Sequence, residues 1–306
     1  MKRDNEAEIW TTERLLARVV RYADLDPCYN AFIDCRTPGS EAKENFTIIG
    51  PGVSENPAQH VHITEPHGFN IGGARQPPGC VNSQHSHDTA EVFVVHTGTW
   101  RFELGEHGDD AQVVLQPGDT ISLPTGMFRG FTNIGEDSAF LWAVLGQDNP
   151  GRVLWAPKVF EMAQDFGLVL MENGSLVDIQ AGETLPADVA PMPTTSSEQV
   201  AAMAKFTPEQ AQRLVVQADT TSAALIGPDA PLSGPHGFTL DRLMVDGRMA
   251  GLGGRYVLFV QAGRLTLEGP EGSVELAAGD TMTVPAVLGT HELIGTGATV
   301  FVVRSA

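Results

Sequence analysis

Positive charge is scarce in this 306-residue chain. Nineteen lysines and arginines stand against 38 aspartates and glutamates, a formal net charge of −19. Binding a phosphate backbone requires clustered Lys and Arg, so the balance excludes nucleic acid as a partner and argues equally against an anionic membrane surface. A small anion is acceptable only where local positive charge awaits it. Cysteine is scarcer still. Cys28, Cys35 and Cys80 are odd in number and widely spaced, which fits neither a disulfide framework nor a zinc site. Long apolar runs are missing as well. No stretch approaches the length of a membrane span, and the start, Met1-Lys2-Arg3-Asp4-Asn5-Glu6, leads into no apolar core of a signal peptide. The expectation is a cytoplasmic protein.

What is present is enough chain for two domains, with 42% hydrophobic residues to fill their cores. Leu15, Leu16, Val19, Val20 and Ala23 recur at helical spacing, predicting a helix over about residues 11–22. From Phe46 the pattern becomes short β-like runs: Phe46–Ile49, Val61–Thr64, Asn70–Arg75, Glu91–Val95, Thr99–Leu104, Ala111–Leu115, Thr120–Leu123 and Ala139–Leu145. Turn residues such as Pro77-Pro78-Gly79 and Pro117-Gly118-Asp119 separate them, which predicts an antiparallel barrel or sandwich. A connector follows. Pro157–Phe166 reads as a helix, and Thr195-x-x-Glu198 and Thr207-Pro208-Glu209-Gln210 read as capping boxes of two further short helices. A second β-rich region runs from about residue 218 to the end. Val92 and Val94 are apolar opposite Glu91, Phe93 and Val95, so this strand is expected to be buried on both faces. That doubled burial, with the doubled barrel, suggests a homodimer.

The stretch Gly79 to Gly98 carries the chemistry. His85, His87 and Glu91 are all odd-numbered, and alternate side chains of an extended strand share a face, so all three are able to converge on one point. Two imidazoles and a carboxylate suit a first-row transition metal, above all non-heme iron(II) with open positions. Manganese, nickel and zinc fit the same ligands. Phe93 and Trp100 have the parity to line the barrel and bound a substrate, while Met127 and Phe128 flank Arg129 at a candidate mouth. His96 has the opposite parity and is expected to face away.

This stretch resembles the cupin superfamily. Its first motif, G-x5-H-x-H-x3-E-x6-G, is matched by Gly79, His85, His87, Glu91 and Gly98. Its second, G-x5-P-x-G-x2-H-x3-N, is matched by Gly118, Pro124, Gly126 and Asn133, but Arg129 stands where the family places a fourth ligand, a histidine. Arginine has no lone pair to offer a metal. Two coherent arrangements follow. In one, a metal sits on His85, His87 and Glu91 while Arg129 turns to a substrate anion. In the other, Arg129 pairs with Glu91 in a metal-free cavity. The first is the leading reading.

A second copy is visible. Gly118-Asp119-Thr120 recurs as Gly279-Asp280-Thr281, and Pro66-His67-Gly68-Phe69 recurs as Pro235-His236-Gly237-Phe238. Carrying the alignment through places Ala250, Leu252 and Tyr256 where His85, His87 and Glu91 stand, and Thr290 where Arg129 stands, leaving His291 a non-ligand. The resemblance therefore implies an all-β bicupin: two double-stranded β-helix (jelly-roll) barrels with an N-terminal helical arm and a helical connector. The expected divisions are an arm over 1–45, a metal-bearing barrel over 46–155, a connector over 156–217 and a degenerate barrel over 218–306. The implied function is a metal-dependent enzyme of dioxygenase type acting on a small organic acid, with Arg129 anchoring the anion. A non-catalytic anion-binding cupin and a metal-dependent isomerase or lyase are the alternatives.

Overall fold

The structure is a computed structural model that describes residues 9–221 and 223–306; the segment Met1–Glu6, where no leader is expected, lies outside it. The chain divides into two compact units. One holds Asp26–Thr220 with Leu232–Gly237, the other holds residues up to Leu25 with Thr221–Pro231 and Phe238–Ala306. The boundary between Leu25 and Asp26 falls within the expected arm, and the expected connector over 156–217 lies wholly in the Asp26–Thr220 unit.

The first elements among the described residues are α1 (Thr12–Leu16), capped by the Thr11 side chain, and β1 (Val19–Val20). The helix expected over about 11–22 is thus a single turn followed by a strand. Val19 and Val20 are β-branched, and they satisfy their backbone on a sheet edge rather than continue a helix.

In the Asp26–Thr220 unit, eleven strands run β2 (Glu44–Ile49), β3 (Val61–Ile63), β4 (Phe69–Gln76), β5 (Val81–His87), β6 (Glu91–Val95), β7 (Trp100–Leu104), β8 (Ala111–Leu115), β9 (Thr120–Leu123), β10 (Arg129–Asn133), β11 (Ala139–Gly146) and β12 (Val153–Trp155). Helix α2 (Pro157–Asp165), hairpin β13 (Leu168–Leu170) and β14 (Leu176–Asp178), helices α3 (Ser197–Ala201) and α4 (Pro208–Gln212), and β15 (Val215–Val216) complete it. One sheet has the order β12-β5-β10-β7-β8 and the other β15-β9-β6-β11-β4-β2-β3. All pairings are antiparallel except β2 with β3. The alternating burial along β7 and β8 reflects one face on the core and one toward solvent. The inner faces meet in a core that includes Phe93, Trp100, Phe102, Leu123, Phe131 and Leu141. Val92 and Val94 are fully buried within the single chain, so the apolar outer face of β6 needs no second subunit.

Strands β5 and β10 do not stand out as runs in the sequence. Val81-Asn-Ser-Gln-His-Ser-His and Arg129-Gly-Phe-Thr-Asn are too polar to read as strands on their own; their ladders form because β7 and β12 flank them. The first connector cap also shifts by one residue. Ser196, not Thr195, accepts from the Gln199 amide, while the Thr207–Gln210 box forms as expected, with Pro208 in the first turn.

The second unit contains β16 (Ala224–Ile226), β17 (Phe238–Ala250), β18 (Tyr256–Glu268), β19 (Ser273–Ala277), β20 (Thr281–Val284) and β21 (Glu292–Ser305), with β1 on the edge of β20. The two edges are built alike. Asp119 accepts from the amides of Ala218 and Gln116, each at 2.8 Å. Asp280 accepts from the amides of Tyr22 and Ala277, at 3.0 and 2.9 Å. The repeated aspartate thus fastens β15 to β9 in one unit and β1 to β20 in the other.

Candidate metal centre

His85 and His87 lie on β5, as alternation requires, but Glu91 does not share their strand. Asp88-Thr89-Ala90 turns the chain, and Glu91 opens β6. The single-strand picture is therefore corrected: two strands bring the three residues together. Their ligand atoms lie within 4.8 Å of one another, and all three residues are buried. His87 Nε2 stands 3.5 Å from Glu91 Oε2, and the two imidazole planes are nearly perpendicular, their centroids 4.9 Å apart.

The histidines are prepared to act as bases or ligands. His85 Nδ1 donates to the Ser83 carbonyl at 2.7 Å, which fixes the tautomer and leaves Nε2 with its lone pair. Burial, followed by the neighbouring Arg129 cation, pushes the His85 pKa down to about 3 and that of His87 well below its ordinary value. Both rings are neutral at pH 7, so no proton competes for their lone pairs. His87 Nδ1 is buried without a hydrogen-bond partner.

Arg129 decides the charge of the site. It faces His85 directly across the β5–β10 ladder, so both side chains point to the same side of the sheet. It is fully buried, and its Nη2 donates to Glu91 Oε2 at 3.0 Å. Nε and Nη1 are buried with no acceptor. Burial raises the Glu91 pKa while the guanidinium opposes the rise. Of the two arrangements the sequence allows, this is the one with Arg129 on Glu91, and Arg129 is not part of the cavity wall.

The cavity is a compact space of about 70 Å³. His85, His87 and Glu91 form one side, and Phe93, Phe131 and Trp155 supply apolar walls. Phe93 is therefore where the parity places it. Trp100 is not: it lies wholly in the core, its indole N–H donating to the Thr97 carbonyl at 2.9 Å. Met127 and Phe128 are also fully buried, so neither gates a mouth. His96 packs on Phe140, away from the site. The His60 and His62 rings lie 4.5 Å apart, and His62 Nε2 accepts from the Asp26 amide. The three cysteines are buried and unbridged.

Several neighbours have no motif to announce them. Trp155 faces His85 across the β5–β12 ladder with its ring 5.3 Å away, and its indole N–H donates to Glu55 at 2.6 Å. Asn82 contacts Lys43, which is buried in an ion pair with Asp34. Asp34 in turn accepts from the Ser83 amide at 3.0 Å, bracing the strand that carries His85.

A cupin domain model matches residues 74–145, the segment holding both motifs. That segment is a cupin domain. The chain is 29% identical over 143 residues to an Arabidopsis thaliana protein, "Germin-like protein subfamily 1 member 7". That match spans 41% of this chain and 62% of the relative's length. In three dimensions it is similar to oxalate decarboxylase from Bacillus subtilis (TM-score 0.51, 10% identity, 99% of this chain and 78% of that one). It is similar also to bacterial pirin in complex with nickel(II) from Escherichia coli (TM-score 0.50, 11% identity, 93% and 96%). These likenesses establish the two-barrel fold.

In the second barrel, Tyr256 occupies the place of Glu91: each pairs with the end of the neighbouring strand, Tyr256 with Val284 and Glu91 with Leu123. His291 Nδ1 donates to the Gly289 carbonyl at 2.8 Å, so Nε2 accepts from the Tyr256 hydroxyl. A Cβ on Gly251 would collide with the His291 ring. His291, one residue beyond the sequence alignment, thus takes the place of Arg129, and a Tyr–His hydrogen bond stands where the first barrel has Glu91 and Arg129. No helix among the described residues is long and apolar enough to cross a membrane.

Proposed function

We propose that the N-terminal barrel holds one divalent metal on His85, His87 and Glu91 and acts on a small organic acid as a dioxygenase-type enzyme. The observation that carries the reading is the convergence of two neutral imidazoles and one carboxylate on the wall of a largely apolar cavity. A 2-His-1-carboxylate set leaves positions open for substrate. Bound there, iron would supply redox chemistry toward dioxygen, and manganese, nickel or zinc would supply Lewis acidity. The chain's own contributions are distinct. Ser83 fixes the His85 tautomer, Phe93, Phe131 and Trp155 exclude water, and Arg129 neutralises Glu91 in the metal-free state.

The test is metal content by elemental mass spectrometry. About one equivalent is expected in the wild-type protein after anaerobic loading with iron(II), and none in His85→Ala or His87→Ala that remain folded by circular dichroism. Equal metal in the variants would overturn the ligand set. A second reading, a metal-free binder of small anions, is favoured by the Arg129–Glu91 hydrogen bond; a wild-type protein that takes up no metal would select it.

A further inference from the structure

We infer that metal and one small monocarboxylate with an apolar body bind this barrel together, each raising the affinity for the other, and that Arg129 is the coupling residue. The inference rests on the metal reading above. The guanidinium is fully buried and has a single acceptor, Glu91. That carboxylate is also the only anionic member of the three-residue cluster. When Glu91 turns its charge to a divalent cation, Arg129 loses its partner and two like charges share one buried space. An unpaired buried charge is strongly destabilising, and low dielectric strengthens the repulsion. The local charge explains what is missing. Glu91 and Arg129 sum to zero without metal; a divalent ion makes the site +2, and one carboxylate brings it to +1.

The surroundings select the ligand. Lys43 is committed to Asp34, so among the described residues Arg129 is the cation placed to receive an anion beside the three ligands. That favours a single carboxylate over a dicarboxylate. Phe93, Phe131 and Trp155 favour an apolar or aromatic body over a fully polar one. Arg129 stays off the cavity wall while it holds Glu91; once metal binding turns Glu91 away, the freed guanidinium matches a carboxylate as a planar fork, with Nε and Nη1 already lacking acceptors.

Isothermal titration of the metal-free 306-residue protein with manganese(II) tests this, in buffer alone, with benzoate, and with benzyl alcohol as the uncharged control. Benzoate is expected to tighten manganese binding about tenfold or more, benzyl alcohol to leave it unchanged, and manganese to tighten benzoate by the same factor. Arg129→Met is expected to bind manganese without benzoate and to lose the coupling. Equal manganese affinity with and without benzoate in the wild-type protein would overturn the coupling while leaving the metal reading intact. Absence of manganese binding under every condition would overturn the metal reading itself. The wild-type comparison stands even where the variant fails to fold.

Discussion

Arg129 and Glu91 show how one residue recasts a site. A fully buried ion pair contributes little net stability, yet removing one member is costly, because the other is left charged without water. In chelator-treated protein, Glu91→Ala is expected to lower unfolding free energy by about 3–5 kcal/mol. Glu91→Leu combined with Arg129→Met is expected to recover most of that loss, read from urea denaturation. A double variant as unstable as the single one would mean that the pair is not what costs. Glu55 poses a separate residue-scale case. Burial raises its pKa to about 8, against the hydrogen bonds from Trp155 and the Ile33 amide; nearby Asp34 adds to the rise and Lys43 opposes it. In the unfolded chain the same group titrates near 4.5. Between those values the native state holds a proton that the unfolded state has lost, so stability falls as pH rises, by up to about 1.4 kcal/mol per pH unit. Glu55→Gln is expected to flatten the stability profile between pH 5 and 8. An unaltered slope would show that Glu55 is ionised in the native protein.

Elements here depend on turns that only glycine can make. Gly79 and Gly98, both motif positions, have φ of 75° and 79°. Their surroundings differ. A Cβ on Gly79 meets nothing within 4 Å, whereas one on Gly98 collides with Ala139 at the start of β11. Gly79→Ala is expected to cost about 1 kcal/mol, the backbone penalty alone. Gly98→Ala is expected to cost at least 1 kcal/mol more, since the β6–β7 turn and β11 must separate. Thermal unfolding distinguishes the two, and equal losses would contradict the packing. At this scale the sequence was legible where alternation was strong, as in β7 and β8, and where caps used standard chemistry, as at Thr207. It offered no strand pattern for β10, and at β5 only the alternation of His85 and His87; the polar residues there form strands because neighbours supply the ladder. The helix predicted over 11–22 failed for the converse reason: helical spacing of apolar residues does not reveal that a sheet edge awaits Val19 and Val20.

Across the whole molecule, the arrangement that matters is the pairing of short segments with barrel edges. Thr11, Glu13, Val19 and Val20 recur 196 residues later as Thr207, Glu209, Val215 and Val216. Each set forms a helical turn followed by a two-residue strand, the first on β20 and the second on β9. Deleting residues 1–25 is therefore expected to strip β20 of its partner. Hydrogen exchange at Thr283, whose amide donates to the Arg18 carbonyl at 3.0 Å, should accelerate at least tenfold, while β9 amides keep their protection. Unchanged exchange at Thr283 would mean that the arm does not secure this edge.

The sequence by itself determined the duplicated all-β architecture and the membership of His85, His87 and Glu91 in one site. Alternation, turn residues and repeated Gly-Asp-Thr segments are local patterns that survive in one dimension. It also determined that residue 129 bears no metal lone pair. Tertiary structure alone decided the rest: that Glu91 reaches the histidines from a second strand, that Arg129 closes on it, and that Trp155 rather than Trp100 walls the cavity. It decided too that His291 answers Tyr256 in the second barrel. These depend on strand register and on which buried charge finds which partner, and register is set by the whole sheet rather than by any one strand.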